Sequence, residues 1–135
     1  MGGKSLTFSC IYAPMYISLG ILIKQLKVMK KTNASASGTS FHGITFTASI
    51  NALTSLLGEP SFTGDFSEDK VTVEWVCETI DGYIVTIYDW KEYRWIDKDE
   101  RIEFHIGGRN KFETLDAKDE LIDIMKTYFS YEIHR

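Results

Sequence analysis

The sequence predicts a small α+β domain, with a short strand and helix, a three-stranded antiparallel meander, and a long C-terminal helix packed on one sheet face. Three observations lead there. Residues 70–90 hold two runs rich in β-branched and aromatic side chains, parted by Asp81-Gly82, and such side chains fit a pleated, half-buried surface. In residues 101–106, Ile102, Phe104 and Ile106 alternate with Arg101, Glu103 and His105, the period of a strand with one buried and one solvated side. From Thr114 to about Phe129, apolar residues recur at helical spacing. A chain of 135 residues suffices for one domain around one core.

Taken in order, the first forty residues form an apolar and basic segment with a flexible linker, and residues 41–135 form one acidic domain. Leu6 to Ile23 is eighteen residues without a charge, followed by Lys24, Lys27, Lys30 and Lys31. That length is the lower limit of a membrane span. Four readings stand side by side: a non-native upstream extension or disposable arm before a soluble start at Met29, a membrane anchor, a secretory signal, and a packed helix. Four lysines between the apolar run and Ala34-Ser-Ala36 count against the signal, because they reverse its order of regions. Under the anchor reading, the lysines put the acidic domain in the cytoplasm. Residues 32–40, small and polar, read as a linker.

Phe41 to Phe46 reads as a strand, and Thr47 as the N-cap of a short helix whose apolar face is Ile50, Leu53, Leu56 and Leu57. Gly58 and Pro60 end it. Residues 61–69 form an acidic loop that lacks the ligand spacing of a calcium loop. In the hairpin that follows, Val71, Val73, Trp75 and Cys77 alternate with Thr72, Glu74, Val76 and Glu78. Asp81-Gly82 predicts a tight turn with positive φ. Asp97 to Glu100 is a charged turn, and Gly107-Gly108 ends the third strand. In the last helix Leu115, Leu121, Ile124, Met125 and Tyr128 supply the packing face. Asp116, Lys118, Asp119, Glu120 and Asp123 are expected in solvent, with Asp116 and Asp119 near the positive end of the helix dipole.

Two resemblances accompany these residues. The short helix, Leu57-Gly-Glu-Pro60 and the meander together look like the small outer-membrane-assembly lipoprotein module, with a helix pair against a sheet. It covers about half the chain and implies fold alone, because the lipobox cysteine ahead of the domain is missing. Residues 87–94, IYDWKEYR, with residues 102–108, IEFHIGG, resemble small uncharacterised bacteriophage accessory proteins over residues 41–125. That resemblance implies a virus–host context, in which a small acidic protein binds a host protein or sequesters a ligand. It carries over no catalytic residue.

Charge narrows the function. Residues 44–135 hold all nineteen Asp and Glu against ten Lys and Arg, a net −9, and a surface so acidic repels a phosphate backbone. Nucleic acid is therefore a disfavoured partner. Cys10 and Cys77 make no disulfide framework, so a reducing, cytoplasmic setting is the default. There is no repeated metal-ligand spacing, no nucleophile signature and no phosphate-binding glycine loop, so neither cofactor nor metal is expected and no catalytic residue is assigned. His42 reads as incidental.

Binding remains. The open side of the meander collects Glu103 and His105 with Glu74, Glu78 and Arg101, and Asp89, Trp90, Tyr93 and Arg94 lie at its neighbouring end. Aromatics beside an arginine are the usual composition of a protein-binding hot region. The expectation is a non-enzymatic binding protein, a phage accessory or anti-defence factor acting on a host protein. Its partner-binding residues are Asp89, Trp90, Tyr93, Arg94, Glu103, His105 and Arg109, and a homodimer is compatible with them. One alternative is a nucleotide- or small-anion-binding or metal-assisted hydrolytic protein using His105, Glu103, Asp89 and Arg109. There Gly107-Gly108-Arg109 would meet the anion, although a strand-ending turn accounts for the glycines equally well. Another is a membrane-anchored envelope module, if residues 6–23 are a genuine anchor.

Overall fold

The structure, a computed structural model, describes residues 28–133. The apolar run 6–23, and with it the anchor, signal, extension and packed-helix readings, lies outside them. In chain order the elements are β1 Lys30–Lys31, β2 Ser40–Ala48, α1 Ile50–Leu57, β3 Phe62–Thr63, β4 Val73–Glu78, β5 Ile84–Tyr88, β6 Ile102–Gly108 and α2 Lys111–Ile133. All strand pairs are antiparallel, in the order β1-β4-β5-β6-β2, with β3 also on β4. This is the α+β architecture that the alternation predicts, with the long helix against the sheet and the meander β4–β5–β6 at its centre.

Alternation decides the faces. Val73, Trp75 and Cys77 are buried while Glu74, Val76 and Glu78 are half-buried, and Ile102, Phe104 and Ile106 are buried beside exposed Glu103 and half-buried His105. The inner face meets Ile50, Leu53 and Leu57 of α1 and Ala117 and Leu121 of α2 in one cluster. Trp75 and Phe104 pack edge-on with centroids 6.0 Å apart. The Trp75 indole N–H donates to Gly58 O at 2.8 Å, which satisfies its polar atom and ties the end of α1 to the sheet.

Four expectations need correction. The hairpin turn is wider than an Asp-Gly two-residue turn. Gly82 N–H bonds Thr79 O and Thr79 N–H bonds Tyr83 O, and Gly82 has φ +88° while Asp81 stays at negative φ. One glycine in the left-handed region after an ordinary turn suffices to close this hairpin. Ser49, not Thr47, caps α1, accepting from Ala52 N at 3.0 Å. Thr47 and Ala48 are still pairing with Glu103 and Ile102 in the sheet, so the strand outlasts the first available cap.

The long helix begins earlier than Thr114, where Asn110 Oδ1 accepts from Glu113 N at 2.9 Å. Its buried line is Thr114, Ala117 and Leu121, which leaves Leu115 exposed, while Asp116 and Glu120 are half-buried rather than solvated. Glu120 accepts from Ile80 N at 3.0 Å, so α2 holds the hairpin turn. Finally, the folded unit reaches back before residue 41. Met29 is buried in the core, and Lys30–Lys31 pair with Glu78 and Cys77. Residues 32–39 are ordered by short turns, including Thr39 N–H and its hydroxyl both on Ala36 O.

Two edges follow from this. One side of β4 is covered along its length by two short strands, β1 at Cys77–Glu78 and β3 at Val73–Glu74, which removes an exposed edge that could recruit other chains. On the other side of the sheet, β2 runs beside β6 with an irregularity. It advances from Phe41 to Thr45 while β6 advances only from Gly107 to His105. Gly43, at φ +87°, supplies the left-handed residue this bulge requires.

Candidate functional site

The outer face of the sheet carries the candidate site. Register aligns one row across five strands: Phe62 of β3 opposite Glu74, Glu74 opposite Tyr88, Tyr88 opposite His105, and His105 opposite Thr45. Paired residues point to the same face, so a single carboxylate stands between two aromatic rings, with an imidazole beyond. Across the β2 bulge, Phe41 pairs with Gly107, one row along on the same face. Its ring stacks on His105 with centroids 3.9 Å apart and planes 13° from parallel. Trp90 stacks on His105 at 5.9 Å and 25°, and Tyr88 meets both rings edge-on.

Burial in this stack lowers the pKa of His105, partly countered by Glu103, which favours the uncharged imidazole within the aromatic cluster. Phe41, at 42% exposure, and Trp90, at 39%, present the outer rings to solvent. Beside the stack lies an open depression of about 250 Å3, lined by Thr39, Ser40, Val71, Glu74, Thr86, Tyr88 and Trp90. Three of its lining residues, Ser40, Thr86 and Tyr88, lie close against Gly107, which has no side chain. A Cβ there would come within 2.5 Å of Thr86 Oγ1. Desolvation raises the Glu74 carboxyl above the ordinary glutamate value, and the Tyr88 hydroxyl is raised by burial and by Glu74 next to it.

Asp89 is the clearest correction among the predicted partner-binding residues. It is fully buried, with Oδ1 accepting from Thr72 N at 2.7 Å and Val73 N at 3.0 Å, and Oδ2 accepting from the Thr72 hydroxyl. It clasps the open end of the hairpin, where the ladder would otherwise fray, and being fully buried it presents no oxygen to a partner. The clasp also positions Trp90. The chain turns sharply just after it, with Lys91 and Tyr93 both at φ above +50°, a region that bulky residues rarely occupy.

Arg94 is also engaged. Its guanidinium grips Glu100 with both terminal nitrogens, at 2.9 and 2.6 Å, and reaches Glu92 at 3.2 Å. Hydrogen bonding by Arg94 is the main cause holding the Glu100 carboxyl below its ordinary value. This clamp folds loop 91–101 on itself, and buried Ile96 pins the loop to the core. Asn51 secures it to α1 by a bond from Nδ2 to Asp99 Oδ1 at 2.7 Å. Tyr93 and Trp95 remain exposed on the loop.

Glu103 is exposed on the outer face, and Arg109 is exposed just past β6. The anion-binding reading of Gly107-Gly108-Arg109 loses its glycines to packing. Gly108 is glycine because a Cβ would lie 2.8 Å from Thr114 Cγ2 of α2, and neither glycine takes a positive φ. His42 bridges the strand ends, its Nε2 lying 3.0 Å from Gly108 O. Of the predicted residues, Trp90 and His105 meet in one stack, while Asp89 turns inward and Arg94 and Arg109 stand apart. Only Trp90 lines the depression. Among the described residues, no three His, Cys, Asp or Glu side chains gather as a metal site.

Sequence reasoning passed over Phe41, Thr86 and Tyr88 and the particular position of Glu74. The alternation of β4 already assigned Glu74 to the outer face, and the same period carried through β5 would have placed Thr86 and Tyr88 beside it. Nothing local could place Phe41, because its contact depends on β2 pairing with β6. No protein-family model, curated protein or solved structure matches the chain.

Proposed function

We propose that this chain is a non-enzymatic binding protein that occupies a surface of a partner protein with the open face of its sheet. The observation that carries this reading is the Phe41–His105–Trp90 stack, with Tyr88 at its side, on the face that neither helix covers. Contiguous exposed aromatic surface rimmed by polar groups is the kind of patch that marks an interaction site. Aromatic anchors supply most of the energy at such interfaces. The stack is preorganised: Asp89 holds the strand end from which Trp90 projects, and the β2 bulge holds Phe41. Little ordering cost is therefore left for the binding step.

Hydrolysis draws no support from the same geometry, because Asp89 is turned away from His105 and fully buried. The partner as a host protein, the phage accessory or anti-defence role and the cytoplasmic setting belong to the same proposal, supported by the resemblance over residues 41–125 and by the acidic composition. Among the described residues no helix is long and apolar enough to cross a membrane.

Site-specific photo-crosslinking in cells tests the reading. A crosslinker at exposed Glu103, on the open face, should capture a discrete partner, whereas one at Asp123, exposed on α2, should not. Trp90→Ala should abolish the capture while the protein stays folded. Equal capture from both positions, or capture indifferent to Trp90→Ala, rejects the proposal. A product of twice the chain mass would identify the partner as a second copy.

A further inference from the structure

We infer that the depression beside the aromatic stack receives a cationic side chain of the protein partner, with Glu74 as its counter-ion and Tyr88 and Trp90 as its aromatic walls. This rests on the protein-binding reading of the open face and names the chemistry by which the partner is recognised.

Four observations converge on it. Glu74 is a half-buried carboxylate for which no hydrogen-bond or ion-pair partner is found among the described residues, where the only ion pairs are those of Arg94 with Glu92 and Glu100. Its contrast with Asp89, whose two oxygens take three hydrogen bonds, is informative. A carboxylate kept partly out of water without a partner has a standing desolvation cost, which an incoming cation relieves. Among the described residues no lysine offsets that cost in place, since burial alone accounts for the raised carboxyl.

Aromatic rings flank the acid, Phe62 and Tyr88 by register and Trp90 across the depression. A carboxylate among ring faces is the arrangement that holds alkylammonium and guanidinium groups, because both the charge and the ring quadrupoles attract them. Trp90 already serves this way within the chain, with Lys91 Nζ 5.5 Å from its ring centroid. The hydroxyls of Thr86 and Tyr88 at the wall add oxygen acceptors for the donors of the cation.

Size points to a side chain rather than a free metabolite. At about 250 Å3 and open to solvent, the depression falls below the roughly 300–1,000 Å3 usual for small-molecule sites. The net −9 of residues 44–135 favours a basic surface as the partner.

The experiment titrates the 15N-labelled full chain with the Nα-acetyl amides of arginine, lysine and citrulline, following the Trp90 indole N–H signal. Arginine or lysine should shift it saturably, and citrulline, with arginine's shape but no charge, should not. Glu74→Gln, close in shape, should weaken cation binding at least about tenfold, the loss expected for one charge-assisted hydrogen bond. Asp123→Asn, which removes an exposed carboxylate from α2, should leave it nearly unchanged. A citrulline response equal to that of arginine, or Glu74→Gln binding like the wild type, overturns the inference. The crosslinking assay separates the two levels. If Trp90→Ala loses the partner while Glu74→Gln keeps it, the cation pocket is wrong and the binding face stands. If neither variant loses it, the binding face itself is wrong.

Discussion

The two faces of the sheet are built from neighbouring residues with similar chemistry and opposite fates. On the inner face Trp75 and Phe104 are fully buried and meet edge-on. One residue away on the same strands, Glu74 and His105 join Tyr88, Trp90 and Phe41 on a face open to solvent. Each face also has its carboxylate. Asp89 is buried and held by the backbone and hydroxyl donors of Thr72 and Val73, whereas Glu74 is half-buried and, among the described residues, unmatched. The difference teaches that aromatic and acidic content says little by itself. What separates structure from recognition here is whether neighbouring elements complete a group's contacts.

The largest effect should come from breaking the inner face. Phe104→Ala removes a buried ring and should cost about 3–5 kcal/mol in urea unfolding, enough to unfold much of the protein. Trp90→Ala, on the other face, should change stability by less than about 1 kcal/mol. Equal losses from the two would show that the outer stack is a second core and not a binding surface.

The carboxylates offer a finer comparison. Asp89→Ala leaves buried N–H and hydroxyl donors without an acceptor and should destabilise by about 3 kcal/mol. Glu74→Gln removes a charge that is desolvated without compensation, so it should leave stability unchanged or raise it by less than about 1 kcal/mol at pH 7. A large loss on Glu74→Gln in the same unfolding assay would mean that this acid also has a structural partner.

The smallest effect concerns the turn end of the hairpin, where α2 meets the sheet. Burial, with Asp116 adding to it, pushes the Glu120 carboxyl up from 4.5 to about 7 against the lowering effect of the Ile80 N–H bond. The folded protein thus binds this proton more tightly than the unfolded chain. The resulting stabilisation is fully present below pH 4.5 and is lost as the pH rises through about 7. Because Glu120 is partly exposed, solvent screening should hold the effect below about 1 kcal/mol. Measured by thermal unfolding, wild type should lose stability relative to Glu120→Gln between pH 4.5 and 8. Parallel pH profiles for the two proteins would refute it.

Much of this was legible without coordinates. The alternation through β4 and β6 named Trp75, Cys77, Phe104 and Ile106 as inward residues, because successive side chains on a strand point to opposite sides. The same rule put Glu74 and His105 on the outer face. Helical spacing located both helices, although it chose Leu115 for the core. The helix offers several overlapping apolar stripes, and only its docking angle selects Thr114, Ala117 and Leu121.

Of the candidate site, Trp90 and His105 were legible as residues near one end of a meander. Their stacking was not, and neither was the loss of Asp89 and Arg94 to internal duties. Asp89 clasps Thr72, seventeen residues away, and Arg94 closes on Glu100. In sequence both look as available as any surface charge. The sequence by itself determined which residues of each strand share a face, since that depends on a backbone period within one segment. Tertiary structure alone decided that β2 lies beside β6, that its bulge lays Phe41 on His105, and that Asp89 is satisfied while Glu74, among the described residues, is not. Those outcomes depend on which distant segments come alongside, and on whose donors reach a carboxylate when they do.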